Sequence, residues 1–351
     1  MNVYTNTLNI NVNIYTTESR QYQGDSVSKN DIERDKQLND TIKGKPQPWR
    51  DKKTKTMRLA KAFRAIGEHE YKRANRIWWC GAELGFADNS VTGGMTLKEA
   101  HFCRERLCVM CNWRKSIKTF YQVSRVYDVA QEENPNVQSI FLTLTVRNCV
   151  GSELKGTIDK MFAAWHKLFQ HSRIKKAGYS GWFRALEVTY NKKTDTYHPH
   201  FHAIILVDKQ YFFEPKRYLH TEEISKLWGT SLGTDYNPTC DVRAVRGGGE
   251  KKYKAVAEVA KYTTKDSEYI FDNEEKTVEV VGVLQEALYR RRLYAFGGVM
   301  KIIAKRLGAE NPEDGDLVNI DEEKAVMREE IAEALTVYEW DFGLKDYFRR
   351  V

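Results

Sequence analysis

The stretch His198-Pro199-His200-Phe201-His202-Ala203-Ile204-Ile205-Leu206-Val207 constrains the fold of this 351-residue chain more than any other. Three histidines alternate with non-ionisable residues and then lead into an unbroken aliphatic run. Successive side chains of a strand point to opposite faces, so His198, His200 and His202 share one face while Phe201 and Ala203 share the other. Imidazoles one strand step apart can grip a single divalent metal ion. The competing reading is a chance cluster on a wet edge, but the chain holds only eight histidines, and three of them at period two favour the metal.

Trp182 to Tyr190 reads as a second strand, joined to the first by the polar connector Asn191 to Thr196. If the two strands pair antiparallel with the turn centred between Thr194 and Asp195, Glu187 lies opposite His202 and Thr189 opposite His200. Glu187 then offers a third ligand. Two histidines and a carboxylate with open positions suit Mn2+ or Mg2+ bound beside a phosphate. A plain cross-strand salt bridge is the alternative, and a one-residue slip would bring Val188 to that place instead.

The six cysteines stand at 80, 103, 108, 111, 149 and 240. Met1 to Asn30 is polar and lacks an apolar signal core, so export and a disulfide scaffold are not expected, and a cytoplasmic location is. No run approaches the ~18 apolar residues of a membrane span. Cys103-x4-Cys108-x2-Cys111 has the spacing of a metal knuckle, and Cys80 would complete a four-thiolate Zn2+ site. His101 is the alternative fourth ligand, and three reduced thiols around a turn the alternative to a metal. Arg104, Arg106, Arg114, Lys115 and Lys118 surround the cluster and Trp113 interleaves. Such a module would present Arg106, Arg114 and Lys115 to DNA phosphates.

Charge points the same way. Residues 309–351 hold 13 acidic and 5 basic residues, a net of −8, which leaves +16 on the first 308 residues of a chain whose total is +8. That is the footprint of a polyanion partner, although a solvated basic surface would look alike. The chain divides into a disordered segment over 1–45, a basic helix with the cysteine module over 46–130, a main domain over 131–308, and an acidic segment over 309–351, of which 310–339 reads as a protein-binding tail or a solvated helix. Thr54 to Arg76, Arg114 to Gln131, Leu154 to Phe169, Glu222 to Trp228, Lys251 to Lys265 and Leu284 to Leu307 have helical patterns, the last interrupted at Gly297-Gly298. Ser139 to Val146 and Cys240 to Val245 read as strands. Interspersed strands and helices with a hairpin among them predict an α+β fold on an antiparallel sheet.

A further constellation is Glu258-Val259-Ala260-Lys261-Tyr262-Thr263-Thr264-Lys265. Glu258 and Tyr262 are four apart, on one face of a helix. Lys251, Lys252, Lys254, Lys261 and Lys265 would hold a phosphate backbone. A tyrosine needs a polarised electrophile or a nearby base to act as a nucleophile. Spacing alone does not choose Tyr262 over Tyr253 or Tyr269, and an ordinary helix surface contact explains the Glu–Tyr pair equally well.

Taken in order, these segments carry a resemblance. Phe141-Leu142-Thr143-Leu144-Thr145-Val146-Arg147-Asn148, the histidine strand, and Glu258 to Lys265 resemble the three motifs of plasmid rolling-circle replication initiators of Gram-positive bacteria, the single-tyrosine branch of the HUH endonuclease superfamily. Arg106 to Lys115 and Ala185 to Asn191 resemble segments of the same group, so that the likeness spans residues 78–300. It implies a central antiparallel sheet flanked by helices, with the histidine strand near the centre. It implies that the partner is origin DNA, duplex and single-stranded, and that His200 and His202 bind a divalent metal at the scissile phosphodiester of its single-stranded or extruded form. It also implies that Tyr262 attacks that phosphodiester to form a 5′-phosphotyrosine, and that Glu258 activates water for the terminating cleavage. A host superfamily 1 helicase is the implied partner. His198 lies outside the two-histidine motif and would orient a ligand or cap the strand. Two other classes compete: a histidine-triad nucleotide hydrolase, which would leave Tyr262 idle, and a non-catalytic zinc-containing DNA-binding regulator, which would leave the histidine strand idle.

Overall fold

The computed structural model describes residues 37–42, 45–89, 94–245, 250–260, 264–309, 315–318, 320 and 335–350. In chain order the elements are β1 (Thr41–Ile42), β2 (Lys45–Pro46), α1 (Trp49–Ile66), α2 (Tyr71–Trp78), β3 (Glu83–Asn89), β4 (Gly94–Ala100), α3 (Val109–Glu133), β5 (Val137–Thr145), α4 (Gly151–Gln170) and α5 (Ser172–Ala177). They continue with β6 (Tyr179–Asn191), β7 (Thr196–Asp208), α6 (Thr221–Leu232), β8 (Cys240–Ala244), α7 (Glu250–Val259), α8 (Glu274–Leu288), β9 (Tyr294–Gly297), α9 (Gly298–Arg306), β10 (Thr336–Asp341) and β11 (Asp346–Arg349). Among the described residues no helix is long and apolar enough to cross a membrane.

The main sheet has the order β8-β5-β7-β6-β9 and every neighbouring pair is antiparallel. The histidine strand β7 occupies its middle. The alternation of residues sorts the two faces. Phe201 packs on Phe162 and Trp165 of α4, with ring centroids 5.4 and 5.5 Å apart. Trp228 of α6 joins that layer and donates its Nε1–H to the Thr145 carbonyl at 2.8 Å. The histidine face is covered in part by α3 and α7, with Tyr127 of α3 hydrogen-bonded to Ser139 of β5 at 2.5 Å. An α+β architecture with antiparallel sheets flanked by helices follows, as the alternation of patterns implies. Pro199, which has no N–H to give, lies one residue beyond the last β5–β7 pair, Thr145 with His200, so the ladder loses nothing there.

The β6–β7 hairpin differs from expectation by two residues. Glu187 is opposite His200, Thr189 opposite His198 and Ala185 opposite His202. The cause is the turn, which is centred one residue earlier than assumed. Asn191 Oδ1 accepts from the backbone N–H groups of Lys193 and Thr194 at 2.9 and 3.3 Å, and Asp195 closes the loop with φ 53°. A shift of two keeps each side chain on its face, so Glu187 stays with the histidines.

Other boundaries also move. Helix α7 ends at Val259 rather than Lys265. The helix read over Leu284 to Leu307 is instead the end of α8, the edge strand β9, and α9. Gly297 and Gly298 explain the break. A Cβ on Gly297 would collide with the Trp182 ring, and Gly298 takes φ 55° against the Ser180 carbonyl. The segment 1–45 lies outside the described residues up to residue 36 and at 43–44, while β1 pairs with β2 within and just beyond it. Of the acidic segment 309–351, residues 310–314, 319, 321–334 and 351 lie outside the described residues, and with them most of the stretch read as a tail or solvated helix. The segment's strands β10 and β11 form a hairpin that pairs with β3, giving a second sheet of order β11-β10-β3-β4 beside the cysteines. Tyr347, fully buried, donates its hydroxyl to the Gly81 carbonyl.

Candidate metal centre

Glu187 of β6 and His200 and His202 of β7 converge because all three point from the centre of one sheet face. One ligand atom from each lies within 4.8 Å of the others. Glu187 Oε2 stands 3.1 Å from His202 Nε2 and 3.6 Å from His200 Nε2. The opposite ring nitrogens are engaged elsewhere. His200 Nδ1 is 3.0 Å from the His198 carbonyl, where it can only donate, and His202 Nδ1 is 3.1 Å from Thr143 Oγ1 on β5. A proton held on Nδ1 leaves the Nε2 lone pair free for a cation, which is the usual supporting arrangement of a metal-binding imidazole. Burial raises the Glu187 carboxyl, but the facing His200 and His202 rings overrule it and hold it well below the ordinary carboxylate range. Two imidazoles and one carboxylate, with Glu187 and His200 buried and His202 partly exposed, fit a divalent ion with positions left for substrate oxygens.

His198 is stacked on His200, ring centroids 5.1 Å apart, and enters the cluster only through its backbone carbonyl. Burial and the neighbouring His200 push its pKa down.

Lys261 and Tyr262 lie outside the described residues. Their flanks are described. Helix α7, with Glu258 half-buried in its last turn, packs against β7 and α3. On the other side, exposed Lys265 brings its Nζ to 3.9 Å from Glu187 Oε1. The two other candidate tyrosines are engaged away from the histidines. Tyr253 donates to Asp128 of α3 at 3.3 Å, and buried Tyr269 donates to the Leu107 carbonyl at 2.7 Å. Lys254 is exposed on α7.

The basic residues near the cysteines divide. Arg106 is partly exposed, but Arg114 and Lys115 are buried. Arg114 donates to the carbonyls of Leu317 and Val318 at 2.9 and 3.0 Å and lies over the rings of Trp49 and Trp113. This corrects their assignment to DNA phosphates: a helix emerging from the knuckle turns these two side chains into the core. Cys80, Cys103, Cys108 and Cys111 are brought together as a second cluster, and His101 is exposed and apart from it. Thr143 is the functional side chain that pattern reading missed. Its position, alternating with Phe141 and Thr145 in a strand next to the histidines, was the available signal.

Residues 94–348 match the family model described as Replication protein. A protein named Protein rep from Streptococcus pneumoniae serotype 2 (strain D39 / NCTC 7466) is 39% identical over 282 residues, covering 80% of this chain and 86% of the relative. Another Protein rep, from Bacillus amyloliquefaciens, is 37% identical over 328 residues, covering 88% and 95%. A Replication protein from Staphylococcus aureus is 32% identical over 233 residues, covering 65% and 97%. No solved structure matches the chain.

Proposed function

Because this chain belongs to the replication protein family of plasmid rolling-circle initiators, we propose that it starts replication by nicking one strand of its origin through a covalent phosphotyrosine. The observation that carries this reading is the convergence of Glu187, His200 and His202 on one point of the central sheet, with Lys265 beside it. Tyr262 is three chain steps from Lys265, at most about 11 Å of backbone. Its hydroxyl oxygen attacks the scissile phosphorus. The bond from phosphorus to the 3′-oxygen breaks, the leaving oxygen takes up a proton, and Tyr262 remains joined to the 5′-phosphate. The freed 3′-hydroxyl primes a polymerase.

A divalent ion held by Glu187, His200 and His202 would polarise the phosphodiester. Those three side chains position the scissile group, and the Thr143 and His198 contacts fix the ring orientations. Lys265 and Lys254 supply positive charge along the single strand. Glu258, at the end of α7, would take a proton from the water that terminates the cycle. The partners in this reading are origin DNA and a superfamily 1 helicase of the host loaded at the nick.

The test is incubation of the full chain with Mn2+ and a single-stranded origin oligonucleotide, followed by SDS gel electrophoresis. A covalent adduct that disappears in Tyr262→Phe is the expected result. Nucleotide turnover without an adduct would instead mark a histidine-triad hydrolase, and binding alone a DNA-binding regulator. An adduct mapped to Tyr253 or Tyr269 would keep the reaction and move the nucleophile.

A further inference from the structure

Helix α1 buries one stripe, and that stripe contains a residue that does not belong in a core. Trp49, Lys53, Thr56, Ala60 and Phe63 follow each other at spacings of four and three residues and are all buried. Lys53 has no exposed surface. Its ammonium donates to the carbonyls of Trp78 and Cys80 at 2.7 and 3.0 Å. No described carboxylate lies within ion-pair distance of it. A buried ammonium without a counter-charge is heavily penalised, and the group that Lys53 faces is the cysteine cluster.

The sulfur geometry supplies the counter-charge. Cys80 and Cys111 are 3.5 Å apart, Cys80 and Cys108 3.6 Å, and Cys103 and Cys111 3.7 Å. A disulfide would need about 2.05 Å. A tetrahedron of thiolates around an ion at about 2.3 Å has edges of about 3.8 Å, close to the spacing observed. Backbone donors are aimed at the sulfurs as well. The Cys103 N–H points to Cys80 Sγ and the Arg104 N–H to Cys111 Sγ, both at 3.3 Å. Arg104 takes φ 58° to do this, a left-handed turn that a side chain adopts only under constraint. Cys108 caps the N-terminus of α3, where the helix dipole favours an anion.

We propose that Cys80, Cys103, Cys108 and Cys111 hold a structural Zn2+ ion, and that Lys53 is a positioning residue that balances the excess negative charge of the four thiolates. The site clamps α1 and the loop after α2 to the start of α3. It is independent of the histidine cluster and of the nicking reaction.

The test uses the full chain purified without added metal and measures metal content by elemental mass spectrometry, in the wild type and in His200→Ala/His202→Ala. One zinc per chain in both is expected. A folded protein free of metal whose four thiols react freely with a thiol reagent would overturn the site, and iron in place of zinc would overturn the ion. Lys53→Met tests the lysine. Among neutral thiols, removing a buried charge leaves the protein as stable or more so. Beside four thiolates, it is expected to speed zinc loss to a chromogenic chelator about tenfold and to shift the charge-transfer bands of the Co2+-substituted protein. Lys53→Arg, which keeps the charge, is expected to fall between Lys53→Met and the wild type. Zinc release and spectrum unchanged in Lys53→Met would overturn its role. Should Lys53→Met fail to fold, Lys53→Gln, which keeps hydrogen-bond donors but not the charge, is read in its place, and a release rate equal to that of the wild type would overturn the lysine's part.

Discussion

Gly298 joins the edge strand β9 to α9, and the consequence of filling it can be worked from three glycines. In Gly298→Ala the new Cβ must adopt φ 55° and collide with the Ser180 carbonyl oxygen, with Gly181 Cα at 2.9 Å. Gly233, at the end of α6, has φ 72° with nothing within 4 Å of a Cβ. Gly156, inside α4, has neither a positive φ nor a neighbour. The left-handed conformation costs an alanine about 1–2 kcal/mol, partly offset by about 0.4–1 kcal/mol from the stiffer unfolded chain. Gly233→Ala should therefore lose about 0–1.6 kcal/mol. Gly156→Ala should gain about 0.8–1 kcal/mol from helix propensity alone. Gly298→Ala carries the conformational term and a backbone clash that only a shift of β6 against β9 relieves, an overpacking cost of about 1–3 kcal/mol, for a loss of about 1–4.6 kcal/mol. Urea unfolding followed by tryptophan fluorescence measures all three, since Trp182 lies at this junction. A Gly298→Ala loss within about 0.5 kcal/mol of the Gly233→Ala loss, the usual size of a neutral surface change, would refute the steric part of the argument.

Three further outcomes follow from single contacts. Thr143→Val removes the partner of His202 Nδ1 without changing volume; calorimetric titration should show Mn2+ affinity falling about 10–100-fold, with the circular dichroism spectrum unaltered. Tyr347→Ala empties a fully buried ring and its hydrogen bond to Gly81, and the urea midpoint should report a loss of about 3–5 kcal/mol. Burial raises the Asp266 carboxyl, but its ion pairs with Lys52 and Lys55 at 2.8 and 3.3 Å hold it below the ordinary range. Its contribution is thus present above the unfolded pKa of about 3.9 and lost as pH falls through the lower folded value, so Asp266→Asn should cost about 1 kcal/mol at pH 7 and progressively less as pH falls below about 3.9 in thermal melts.

The sheet was legible where the pattern of residues was simple. Strands β5, β6 and β7 alternate cleanly, and the parity of that alternation placed Glu187 with His200 and His202 even though the register was two residues off. Parity survives an even shift, whereas register depends on the side-chain hydrogen bonds of Asn191, which composition does not reveal. The four cysteines were legible from spacing. Lys53 was not, because a lysine in the basic run Arg50 to Lys55 looks solvated until packing turns it inward. Arg114 and Lys115 misled for the same reason. The strands β10 and β11 were hidden by charge: the acidic count of the whole segment masked the short aromatic alternation Val337 to Trp340 and Tyr347-Phe348. Tyr262 was singled out by resemblance alone, since spacing did not separate it from Tyr253 and Tyr269, whose hydroxyls donate to Asp128 and to the Leu107 carbonyl.

The return of β10 and β11 to β3 also orders events during synthesis. The sheet bearing Glu187, His200 and His202 has its last strand by Gly297, whereas the sheet beside the cysteines lacks half its strands until residues 336–349 have cleared the ribosome. A chain cut short by premature termination after α9 would thus retain the intact histidine platform and lose the cover over the knuckle. Quality control in the cell would meet an unpaired β3 edge, and that exposed edge is where degradation or aggregation of the fragment would begin.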